Sequence, residues 1–229
     1  MTRADELAAG LAAVELRLVA ACAAAGRPRA DVLLVAVTKT RPASDVAVLA
    51  ELGVTDVGEN RDQEAAGKAA ALPQLRWHFV GGLQTNQAAS VASYAEVVHS
   101  VDRPALVTAL AKGAVRAGRE VAVLLQVSLD GDPSREGAPV AEVPALAAAA
   151  AVAPGLRLAG VMAVAPVEAD PARAFAVLAQ VSATLRTDHP GAVEVSAGMS
   201  GDLEQAIAAG ATMVRVGTAL LGVRAPLLR

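Results

Sequence analysis

The stretch LLVAVTKTRPASDVAVLAELG (Leu33–Gly53) contains one complete unit of the pattern from which the fold can be read. Five apolar residues in a row, Leu33–Val37, with β-branched Val35 and Val37, predict a strand covered on both faces. Ala43–Leu52 follows with helical composition, and Gly53 stands where a helix end favours glycine. The unit recurs along the chain. Short runs at Asp56–Val57, Arg76–Val80, Glu96–His99, Val121–Val127, Leu158–Ala163, Val193–Val195 and Met213–Val216 predict further strands, eight in all. Between them Asn60–Ala70, Asn86–Ala92, Pro104–Ala117, Val140–Ala151, Pro171–Thr187 and Gly201–Ala209 read as helices, and Ala4–Ala25 adds one before the first strand. Pro104 and Pro171 suit first helical turns, and Gly118 and Gly210 suit helix ends.

Repeated βα alternation implies a parallel sheet with helices outside. Eight such units in 229 residues predict an α/β protein with a closed (β/α)8 TIM barrel and an extra N-terminal helix. The alternative is an open doubly wound sheet, but no G-x-G-x-x-G follows a strand and no G-x-x-x-x-G-K-[ST] occurs. No Ser/Gly/Pro-rich linker divides the chain, so one domain over 1–229 is expected, with Gly131–Pro139 as a long loop after the fifth strand.

Composition narrows the function. The chain is 54% hydrophobic but only 2% aromatic, so Ala, Val and Leu must build the core. A net charge of −3 and so few aromatics exclude a nucleic-acid binder. The single cysteine, Cys22, makes no internal disulfide and reads as a buried structural thiol. His78, His99 and His189 are scattered, with no Cys or carboxylate at ligand spacing, so no metal site is expected. The N-terminal MTRADELAAG has no apolar signal core, and the longest apolar stretch, Val143–Pro154, is too short to span a bilayer. A soluble, cytoplasmic protein is expected, and a monomer, because no long amphipathic helix offers a dimer seam.

Polar residues gather after strand ends, the catalytic face of such a barrel. Lys39 follows strand one, Glu59 and Asn60 follow strand two, and His78, Gly81 and Gln84 lie around the end of strand three. Ser128 follows strand five, and Met162 and Pro166 flank the end of strand six. Ser196, Gly198 and Ser200 follow strand seven, and Arg215, Gly217 and Thr218 end strand eight. Lys39 has two readings. It is a solvated lysine past a strand, or an amine kept neutral by a low-dielectric surround and able to attack an aldehyde. The loops SAGMSGDLEQAI (Ser196–Ile207) and VRVGTALLG (Val214–Gly222) also have two. Ser200 or Thr218 caps a helix, or the two neighbouring loops bind a phosphate. GMSGD (Gly198–Asp202) misses the G-x-S-x-G nucleophile elbow, because Asp202 replaces the last glycine. An aldehyde joined to a phosphate would use both Lys39 and the late loops, and pyridoxal 5′-phosphate (PLP) is such a ligand.

In order along the chain, VAVTKTRP, VGENRDQE, WHFVGGLQTN, LQVSLDGDPSREG, LAGVMAVAP and VSAGMSGDLEQAIAAGATMVRVGTALLG resemble the YggS/PROSC family of pyridoxal phosphate homeostasis proteins. The resemblance implies a barrel like the alanine racemase N-terminal domain and PLP as cofactor. Lys39 then falls on the Schiff-base lysine. Ser200, Gly217 and Thr218 fall on phosphate-binding positions, and Arg215 on the residue facing the pyridine nitrogen. Asn60, His78, Met162 and Ser196 fall on pocket-lining positions. Gly82 replaces a usual proline and Gln87 a common lysine. Arginine opposite the ring weakens the electron sink, and racemases add a tyrosine from a second domain. Here the only tyrosine is Tyr94, which reads as a packing residue. The expected function is therefore to hold PLP and deliver it to PLP-dependent apoenzymes, with little or no turnover. A PLP-dependent racemase-like enzyme, a cofactor-free aldolase using Lys39, and a structural interaction protein are the competing readings.

Overall fold

The computed structural model of the chain describes residues 2–132 and 135–222. Eight strands, β1 (Leu33–Val37), β2 (Asp56–Glu59), β3 (Arg76–Phe79), β4 (Val97–Val101), β5 (Val121–Gln126), β6 (Leu156–Met162), β7 (Glu194–Ser196) and β8 (Met213–Val216), pair as neighbours in chain order. β8 closes on β1, in parallel register from Leu33 opposite Met213 to Ala36 opposite Val216. Around them lie α1 (Arg3–Ala24), α2 (Ala43–Glu51), α3 (Asp62–Ala71), α4 (Ala88–Tyr94), α5 (Pro104–Ala117), α6 (Val143–Ala151), α7 (Pro171–Asp188), α8 (Leu203–Ala208) and α9 (Thr218–Leu221). This is the (β/α)8 TIM barrel with its added N-terminal helix.

Strand residues alternate between two environments. Leu34, Ala36, Val57, Trp77, Val214 and Val216 pack outward on the helices, whereas Leu33, Val97, Ala122, Leu124, Ala159, Met162 and Met213 pack inside the barrel. Ala, Val, Leu and Met supply all of these positions but Trp77, which is how 2% aromatic content builds a core.

α1 is long and apolar enough to cross a membrane by length and composition. It is instead a packed outer helix. Leu7, Val14, Leu18, Ala21 and Cys22 are buried, and it contacts α2, α8 and α9. At Gly10 the approach is so close that a Cβ would stand 2.2 Å from the Leu220 carbonyl oxygen.

Several boundaries differ from the sequence expectation, each for a local reason. β2 continues through Gly58 and Glu59, because Gly58 faces Val35 and Glu59 is ion-paired to Lys68. Asn60 is therefore a strand-exit residue and not the start of α3. β4 extends to Val101 and β7 to Ser196, and His99 of the one bonds Ser196 of the other inside the barrel.

Candidate functional site

Barrel closure brings the first and last strands together. Arg215 lies opposite Val35 and Val216 opposite Ala36. The next residue, Gly217, is so near β1 that a Cβ there would stand 3.2 Å from the Val37 carbonyl oxygen. Lys39 emerges two residues beyond Val37. The loops after β7 and β8 also meet, because the Ala219 N–H donates to Ser200 Oγ at 3.2 Å. Ser200 is thus not the cap of α8. Asp202 holds that position, and its carboxylate accepts from the Met199 N–H at 2.6 Å. Arg17 of α1 braces the same loop, donating to the Ser200 carbonyl and forking onto Glu204. Thr218 is exposed and Gly217 half-buried. One expectation is corrected here. Lys39 is exposed, so the low-dielectric surround inferred from its strand does not reach the side chain.

Beneath the mouth a row of polar side chains crosses the barrel interior. His78 Nε2 bonds Asp56 Oδ1 at 2.8 Å, His78 Nδ1 meets His99 Nε2 at 2.8 Å, and His99 Nδ1 meets Ser196 Oγ at 2.9 Å. Arg215 Nη1 donates to Ser196 Oγ at 2.6 Å and Nη2 to the Ala163 carbonyl at 3.0 Å. The histidines look scattered in the sequence, yet two of them meet here and one engages a carboxylate. A carboxylate only accepts, so with neutral rings every donor stands on the side of its bond away from Asp56 and points its proton toward it. His78 Nε2–H donates to Asp56, His99 Nε2–H to His78, Ser196 Oγ–H to His99, and Arg215 to Ser196. Burial pushes the Asp56 carboxyl up, but bonds from His78 and Thr55 and the nearby Arg76 hold it below its ordinary range. Burial lowers the Arg215 guanidinium to about 10, with Asp202 opposing. His78 has both ring nitrogens occupied in this row, and Met162 is buried in the barrel interior.

His99 carries a measurable consequence. Burial, then the charges of His78 and Arg215, hold it well below its ordinary 6.5. The unfolded chain therefore takes up a proton below pH 6.5 that the folded protein refuses. Stability should fall on acidification by up to about 1.4 kcal/mol per pH unit from this group. Urea titrations across that range should show the slope in the wild type and a shallower one in His99→Gln.

A second cluster lies between β2 and α3. Lys68 Nζ donates to Glu59 Oε1 at 2.6 Å, Glu64 Oε1 at 2.7 Å and the Thr38 carbonyl at 2.9 Å. Thr38 Oγ1 donates to Glu59 Oε1 at 2.6 Å. Burial raises the Glu59 carboxyl, against the bonds from Lys68 and Thr38. Its Oε2 is buried without a partner, as is Asn60 Oδ1. Asn60 is crowded by β3's exit, where a Cβ on Gly81 would stand 2.5 Å from the Asn60 carbonyl oxygen. Gly82, with no side chain, leaves room for the Glu136 carboxylate. Tyr94 ends α4, half-buried, and its hydroxyl donates to Asp62 at 3.2 Å.

Sequence reading placed Lys39, Ser200, Gly217 and Thr218 at strand exits, and the structure gathers them along the β1–β8 seam. It missed Asp56, His99, Glu64 and Lys68. A period-of-two signal was available for His78 and His99, each at an inward strand position, but their pairing needs the closed barrel.

The alanine racemase N-terminal domain family model matches residues 11–225. A curated relative from Mycobacterium tuberculosis, named pyridoxal phosphate homeostasis protein, is 44% identical over 243 residues, covering 97% of this chain and 94% of the relative. Among solved structures, PipY of Synechococcus elongatus with PLP bound has a TM-score of 0.81 at 34% identity, over 94% of this chain and 100% of that one. Alanine racemase from Corynebacterium glutamicum shares the fold, with a TM-score of 0.72 at 17% identity, over 99% of this chain and 63% of the racemase. A match over nearly the whole barrel, with close relatives along its full length, makes this chain a member of the pyridoxal phosphate homeostasis protein family, built on the alanine racemase N-terminal domain.

Proposed function

We propose that this chain holds PLP as an imine on Lys39 and serves its storage and delivery in the cytoplasm, with little or no turnover. One juxtaposition carries the reading: an exposed lysine at the β1 exit lies across the closing seam from the loops of Ser200, Gly217 and Thr218, above the buried Arg215. The residues suit the group. Gly217 keeps the seam free of a side chain, and Ser200 and Thr218 offer hydroxyls for a phosphate. Arg215 takes the ring-nitrogen end. Asn60 Oδ1 is a buried acceptor with no protein partner, available to the ligand. Met162, His78 and Ser196 form the floor.

Bound there, PLP supplies an electrophilic aldehyde and an electron-withdrawing ring. The protein limits that ring. Arg215, at about 10, stays protonated at neutral pH and can only donate, which favours an unprotonated pyridine. Tyr94 is occupied by Asp62 between α3 and α4, so it is no candidate base at the mouth. Such a site holds a cofactor better than it turns over amino acids. The monomer leaves its mouth open to PLP-dependent apoenzymes as acceptors.

Titrating the purified protein with PLP should produce a visible imine band. Borohydride reduction and peptide mapping should place the adduct on Lys39. L-alanine added to the loaded protein in deuterated water should exchange its α-proton slowly. An adduct elsewhere defeats the site, and fast exchange favours the racemase-like reading.

A further inference from the structure

We infer that Glu64, backed by Lys68 and Glu59, is a positioning residue for Lys39. The inference rests on the cofactor reading above and adds to it the means by which the amine is presented.

Among the described residues Lys39 makes no hydrogen bond or ion pair, so its backbone decides where its amine can reach. That backbone is unusual. The Arg41 N–H closes a turn onto the Thr38 carbonyl at 3.0 Å, and Thr40 has φ 63°. It is the only non-glycine residue with positive φ among those described. A β-branched residue disfavours the left-handed region, and the third position of such a turn ordinarily takes glycine. Something must hold it there.

The holder is α3. Glu64 Oε1 accepts the Thr40 N–H at 2.6 Å, and Lys68 Nζ donates to the Thr38 carbonyl at 2.9 Å. Glu64 and Lys68 lie four residues apart on one helix face and bond each other at 2.7 Å. Glu59 ties the pair back to β2 and to the Thr38 hydroxyl. The backbone on each side of Lys39 is therefore gripped from one helix, while the lysine side chain itself stays free. A strained turn kept by surrounding bonds is a recurrent feature of working sites. Its use here is to keep the amine over the mouth when PLP arrives. The step is simple: the amine nitrogen and aldehyde carbon join as C=N, and the aldehyde oxygen leaves as water with both amine hydrogens.

Glu64→Ala removes the grip on Thr40 and leaves Lys68 bonded to Glu59 and Thr38. Its imine equilibrium constant with PLP should fall about tenfold, equivalent to about 1.4 kcal/mol. Affinity for pyridoxine 5′-phosphate, which has no aldehyde, should stay within about twofold of wild type, because the phosphate loops are untouched. Glu64→Gln keeps an acceptor oxygen and should behave like wild type. Hydrogen exchange at the Thr40 amide of the ligand-free protein should quicken in Glu64→Ala and not in Glu64→Gln. Equal losses for both ligands, an unchanged imine constant, or unchanged Thr40 exchange in Glu64→Ala would overturn the inference. Wild-type protein that forms no imine would instead overturn the cofactor reading, and the Thr40 exchange would still decide the clamp.

Discussion

Lys39→Ala is expected to lose both the visible imine band and the borohydride-fixed adduct completely. The chain has three lysines, which makes the expectation strict. Lys68 is buried, and its three N–H donors face three acceptors, so its nitrogen cannot reach a ligand without dismantling that cluster. Lys112 lies on α5 in the outer helical layer, lining a groove with Val107, Val115 and Pro154. Only Lys39 stands at the mouth. Non-covalent binding to Lys39→Ala is measured with pyridoxine 5′-phosphate, whose affinity should be largely kept by Ser200, Gly217, Thr218 and Arg215. Mass spectrometry after reduction decides the matter, and an adduct retained on another residue would remove Lys39 from its assigned role.

Lys68→Met should cost about 3–5 kcal/mol of folding free energy at neutral pH, the size expected when one partner of a buried ion pair is removed. The methionine fills much of the volume but leaves Glu59 charged, buried and without its main partner. The loss should depend on pH with a definite sign. Burial already holds the Glu59 carboxyl above its ordinary 4.5, opposed by Lys68 and Thr38. Without Lys68 it rises further. A carboxyl raised in the folded state favours folding below its unfolded value, and that contribution is lost as pH rises through the folded value. The deficit of Lys68→Met should therefore be largest near neutrality and shrink on acidification. Urea midpoints of wild type and variant at about pH 7.5 and about pH 5 give the comparison. A deficit that is constant, or that grows in acid, would show that Glu59 is not the group left unpaired.

The fold was legible because periodicity is local. Five apolar residues at Leu33–Val37, then a helical run ended by Gly53, can be read with no knowledge of the rest, and repetition of that unit implies the barrel. Lys39, Ser200, Gly217 and Thr218 were legible for the same reason, since strand exits in a barrel share one face. Strand ends were less legible where burial and charge coincide. Glu59 ends β2 as a buried carboxyl group, and the ammonium of Lys68 from the next helix, with the Thr38 hydroxyl, makes that tolerable. Ser200 looked like a cap because a small hydroxyl before a helix usually is one. Its actual donor, the Ala219 N–H, comes from the following βα unit.

By itself, the sequence of this chain determined the order of strands and helices, the barrel they imply, and the face on which its chemistry gathers, because each follows from neighbours a few residues apart. Tertiary structure alone decided what meets what. Closure of β8 on β1 sets Gly217 beside Val37 across 180 residues of chain, and the inward faces of five strands join Asp56, His78, His99, Ser196 and Arg215 into one row. The exposure of Lys39 and the grip on Thr40 were decided there too, since both depend on packing between β1, β2 and α3, which no local pattern records.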